Sequence, residues 1–142
     1  MHAGQFTPHQ LQRQSFGALY QQIGVETAVG SATPHQLVCL LFDGFLEAVA
    51  QARGAMRDGH IEIKCTAIGR AVRIVEEGLR AGLDRRAGGK LAADLDELYR
   101  YLCLRLTMAN LRNDDLALQE AARLMQPLRD AWLAIAPQAD RR

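Results

Sequence analysis

The chain has 142 residues, a length that suits one domain and can bury about two-thirds of its unfolded surface. Apolar residues make up 49% of it, which excludes a disordered chain, and 17 Lys+Arg against 16 Asp+Glu leave a formal charge of +1, without the basic excess of a protein that grips nucleic acid by bulk charge. No apolar run approaches the ~18 residues of a membrane span, the opening MHAGQFTPHQLQRQ lacks the order of a secretory signal, and the scattered Cys39, Cys65 and Cys103 read as reduced thiols of a cytosolic protein.

In chain order, Phe16, Leu19, Tyr20 and Ile23 share one face of a short helical stretch, too short to be stable alone. It must lie on the rest of the protein, join a partner or stay partly free. Four longer periodic segments follow. The first opens with Thr33 as N-cap, Pro34 at the first helical position and Gln36 completing a capping box. Its stripe is Leu37, Leu41, Phe45, Val49, Ala52 and Met56, and Asp58-Gly59 ends it. The second places Ile61, Cys65, Ile68, Val72, Val75 and Leu79 inward, and LDRRAGG closes it. The third carries Leu91, Leu95, Leu98, Leu102, Leu106 and Ala109. Asn113 or Asp114 caps the fourth, whose inward set is Ala117, Ala121, Leu124, Leu128, Ala131 and Ile135. Pro127 predicts a kink one turn upstream or an earlier break. Short connections predict an all-α, antiparallel up-down four-helix bundle with a short N-terminal helix or cap segment. Residues 1–33 form the leader, 34–136 the bundle and 137–142 a polar tail.

The chemistry of common helix-bundle enzymes is missing. No Glu has a His three residues on, as a di-iron bundle requires. C-x-x-C-H for haem and clustered Cys/His for zinc are absent, and so is a phosphate-cradling glycine loop. Asp43/Glu47 and Asp94/Glu97 have helical spacing and read as polar faces rather than acid–base pairs. The expectation is therefore no enzyme, no catalytic residue, no metal and no cofactor.

The positive signal is surplus hydrophobicity. Ile63, Ala67, Ala71, Ile74 and Gly78 make a second strip on the second helix. Tyr101, Leu104, Met108 and Leu111 do so on the third, and Leu118, Ala122, Met125 and Trp132 less cleanly on the fourth. One stripe suffices for a helix in a bundle. Either the core stripes are broad, or the second strips are covered by the N-terminal segment or by an amphipathic partner helix. Asp43-Gly44 within LLFDGFL calls for close helix approach and a basic partner for Asp43 if it is buried, and Asn110 for a bond to a neighbouring backbone.

The ordered set TP-x-x-L, L-F-D-G, GG, L-x-x-L-Y, A-N-x-x-N-D and L-R-x-A-W, spread over residues 16 to 135, resembles the flagellar export chaperone family FliS. Phe42, where Tyr is common, and Leu104, where a more polar residue is common, depart from the family pattern. The resemblance implies a chaperone of the bacterial cytoplasm that binds the disordered C-terminal region of flagellin, blocks premature polymerisation and supports its type III export. It leaves open an export-gate component or a regulatory co-chaperone as a further partner, and implies neither nucleic acid nor membrane insertion. The expected partner-binding residues are Phe16, Leu19, Tyr20 and Ile23, as a replaceable lid, with Ile63, Ile74, Tyr101, Leu104, Met108 and Leu111 facing the client. The alternative is a self-assembling structural bundle that uses the same faces to dimerise.

Overall fold

The computed structural model describes residues 32–135. Four helices follow one another: α1 (Pro34–Asp58), α2 (Ile61–Arg73, continued by a π-helical segment Ile74–Arg80), α3 (Arg85–Arg112) and α4 (Asp115–Ala134). There is no strand among the described residues. The leader Phe16, Leu19, Tyr20 and Ile23 and the tail beyond 135 lie outside them.

Local chemistry accounts for the helix ends. The Thr33 hydroxyl accepts from the Gln36 amide (3.1 Å) while the Gln36 side chain accepts from the Thr33 amide (2.9 Å), the capping box expected from the sequence. Gly59 takes a left-handed conformation (φ 75°) and stops α1. Asp84 caps α3 through the Arg86 and Ala87 amides, and Asp114 caps α4 through those of Leu116 and Ala117. The glycine pair interrupts as expected, but inside α3: Gly89 sits at φ 52°, ψ −128°, a conformation that side chains rarely adopt. α4 runs through Pro127 to Ala134, so no early break occurs. Pro127 is exposed, so the carbonyl that its missing N–H would have bonded can meet solvent.

α1 packs on α2 and α4, and α3 closes the square against α2 and α4. Cross-helix bonds set the antiparallel order. Arg53 pairs with Asp115 near one end of α1 and α4, and Asp43 with Arg129 towards the other. His35 and Trp132 join the extreme ends of the same pair: the indole Nε1 donates to the His35 carbonyl (3.1 Å). His35 Nε2 lies 2.8 Å from the Trp132 carbonyl, which can only accept, so Nε2 carries the proton. The two rings stack at 5.1 Å.

The core draws Leu41, Phe45 and Val49 from α1, Ile68, Ile74 and Val75 from α2, Leu102 and Leu106 from α3, and Leu118 and Met125 from α4. Three expectations change here. On α2 the buried line is Lys64, Ala67, Ile68, Ala71, Ile74, Val75, Gly78 and Leu79, whereas Ile61 and Cys65 are exposed. The strip read as surplus is thus largely core. α1 packs on α2, Leu41 of α1 lies against Gly78, and the small residues Ala48, Ala52, Ala67, Ala71 and Gly78 are all buried. On α4, Leu118 and Met125 are buried, while Ala131 and Ile135 are exposed at the end of the helix. On α3, Leu91 is exposed, two residues beyond the non-helical Gly89.

Candidate functional site

On α3 the second strip is at the surface. Leu104 is 59% exposed, Leu111 75% and Tyr101 41%, and Met108 is half-buried. The core stripe of the same helix, Leu102, Leu106 and Ala109, is fully buried on the opposite side. The strip's 3-4-3 spacing runs about 15 Å along the helix. Isolated exposed leucines are ordinary, whereas here the exposed residues form a row at helical spacing, separate from the buried stripe of the same helix.

The edge of this strip beside α4 is polar and fixed. The Tyr101 hydroxyl donates to the Glu120 carboxylate at 2.9 Å, and Arg105 Nε donates to the same group at 2.7 Å. Arg105 first, then Tyr101, hold the Glu120 carboxyl below the usual range, and Glu120 in turn pushes the Tyr101 hydroxyl up. Tyr101 is thereby leaned towards α4, leaving Leu104 and Leu111 as the outermost apolar groups.

Of the other expected site residues, Ile63 is 47% exposed at the start of α2. Ile74 is corrected: it has no exposed surface and packs within the core, so no client can touch it in this conformation. Phe16, Leu19, Tyr20 and Ile23 lie outside the described residues. Five exposed aliphatics differ from the periodicity: Ile61, Leu91 and Ile135 belong to expected core stripes, and Leu116 and Leu133 to none. Ile61 was placed in a core stripe, because periodicity gives an azimuth and not a distance from the helix end. Leu116, in the first turn of α4, stands alone in DDLAL and belongs to no stripe.

Of the three cysteines, Cys39 lies 3.7 Å from His35 Nδ1 through its sulfur. Cys103 is half-buried beside Glu76, and burial, then that carboxylate, push its thiol up to about 12. Cys65 donates to Asn110 Oδ1 at 3.3 Å. Among the described residues no group of His, Cys, Asp and Glu could hold a metal ion, and no helix is long and apolar enough to cross a membrane.

The described residues form an all-α helical bundle with an apolar row exposed on α3. The family described as "Flagellar protein FliS" matches residues 16–139. The chain is 45% identical over 120 residues to the flagellar secretion chaperone FliS of Salmonella typhimurium, covering 84% of this chain and 89% of that protein. It is 45% identical over 113 residues to the flagellar secretion chaperone FliSB of Pseudomonas aeruginosa (80% and 89%). Similarity to the Bacillus subtilis flagellar secretion chaperone FliS is 34% over 113 residues (80% of each). The chain belongs to the FliS family, whose members are chaperones and not enzymes.

Proposed function

We propose that this protein is a flagellar export chaperone that holds the disordered C-terminal region of flagellin in the cytoplasm, prevents premature polymerisation and supports export for filament assembly. The observation that carries the reading is the exposed row Tyr101, Leu104, Met108 and Leu111 on a helix that already buries a separate core stripe. A disordered tail that orders on binding loses conformational entropy, and extended apolar contact along such a row offsets it. Ile63 extends the contact surface, and Phe16, Leu19, Tyr20 and Ile23 serve as the segment that yields to the client. An export-gate component or a regulatory co-chaperone is a further partner in this reading. The relatives' names support the chaperone role and the flagellar context.

The test is calorimetric titration of the full chain with a flagellin C-terminal segment, beside Leu104→Asp. Wild type is expected to bind. The variant should bind at least about tenfold more weakly with unchanged helicity, since a charge on that row must be desolvated against the client. Equal binding by both proteins overturns the row as the contact surface. A stable homodimer indifferent to the segment, seen by sedimentation, favours self-assembly instead.

A further inference from the structure

Lys64 is 5% exposed and lies on the buried line of α2. Its ammonium donates to the Asn110 carbonyl oxygen (2.9 Å) and to Asn113 Oδ1 (2.5 Å). It makes no ion pair with a carboxylate among the described residues. A buried ammonium is costly unless its donors are used. The two partners flank one corner: Asn110 in the last turn of α3 and Asn113 in the two-residue connection Asn113-Asp114 that follows it. Asn110 offers one of the last carbonyls of α3, at the negative end of the helix. Asn113 is the only non-glycine with positive φ among the described residues (51°), and Asp114 caps α4 immediately after it. An apolar residue at 64 would fill the same space and leave both oxygens without this donor.

Four exposed aliphatics stand at this end of the bundle: Ile61 and Ile63 in the first turn of α2, Leu111 just before the connection and Leu116 just after it. We propose that Lys64 is a positioning residue for the partner surface, its buried ammonium pinning the α3–α4 corner and so setting where Leu111 and Leu116 stand relative to Ile63. The inference rests on the proposed function for its binding consequence alone.

Lys64→Met keeps a stem of similar length without the donor, and Lys64→Arg restores a cation. Asn113→Gly keeps the left-handed turn and removes the acceptor. In the full chain, amide exchange across residues 110–117 is expected to quicken at least about tenfold in Lys64→Met and Asn113→Gly, while amides around Ala48 and Ala71 change less than about twofold. Affinity for the flagellin C-terminal segment falls by about tenfold in parallel, and Lys64→Arg recovers most of both. Unchanged exchange at the corner, acceleration spread evenly over the core, or unaltered affinity in a locally loosened corner each overturns the proposal. If Lys64→Met does not fold, Asn113→Gly decides by the same readouts. Failure of wild type to bind the segment overturns the client reading instead, and the exchange comparison still decides whether Lys64 pins the corner.

Discussion

At position 78 the helix backbone leaves no room for a side chain: a Cβ there would sit 2.8 Å from Cδ2 of Leu41, itself locked in the core. Gly69, nine residues earlier, faces open space. The two glycines should therefore respond oppositely to alanine. Gly78→Ala is expected to lose about 1–2 kcal/mol through overpacking, and Gly69→Ala to gain about 0.5–1 kcal/mol from helix propensity, both read from urea unfolding midpoints. Aspartate separates the two residues that the sequence placed in one client-facing set. Ile74→Asp buries a charge in the core and should cost at least about 4 kcal/mol, so circular dichroism should show lost helicity, whereas Leu104→Asp should melt within a few degrees of wild type. Tyr101, Leu104, Met108 and Leu111 share a face that sequence periodicity identifies correctly. Periodicity could not separate Ile74 from them, because it fixes direction around a helix and not what stands opposite.

Among the elements, the caps were the most legible features, since capping depends on residues within one turn of each other. Thr33-x-x-Gln36, Gly59 and Asp114 all act where their chemistry implies. The π-helical segment Ile74–Arg80 was not legible, because the stripes were read at the α-helical period; within it Gly78 lies against Leu41 and Arg80 donates to Asp96 at 2.6 Å. The Asp43 partner is Arg129, 86 residues on, a pairing that only the fold specifies. Asn110, expected to bond to a neighbouring backbone, instead accepts from two side chains of α2, Lys64 at its carbonyl and Cys65 at its side-chain oxygen, because α2 turns those residues towards it. The clasp of α1 to α4 can be tested at Trp132. Trp132→Phe keeps an aromatic stack on His35 and removes the indole donor, so a loss of about 1 kcal/mol is expected in thermal unfolding. No loss would show that the bond to the His35 carbonyl contributes nothing net.

For the whole molecule, stability should fall in acid. Asp96 is held below the usual carboxylate range by Arg80, then Arg85; Asp115 by Arg53, then Gln119; and Glu120 by Arg105, then Tyr101. The unfolded chain titrates these groups near about 4 and so binds more protons than the native state as pH falls through that region. Their contribution is complete above the unfolded values and is lost as pH drops through the lower folded ones. Melting temperature should be level from about pH 7 to 5.5 and decline below about 4, and a rise on acidification would contradict the pairing. The sequence by itself determined the helical class, the four segments, the caps at Thr33, Gly59 and Asp114 and the order in which the helices turn back, because each depends on residues close in the chain; Asp84, the cap of α3, lies in the stretch read as closing the second helix. Its ordered motifs also carried the FliS resemblance that the comparisons establish. Only the tertiary structure decided which of two apolar strips becomes interior. That choice is made by what stands opposite each face: Leu41 of α1 comes up against Gly78, and Ala67, Ala71 and Ile74 of the same strip are buried, which periodicity within one helix does not report.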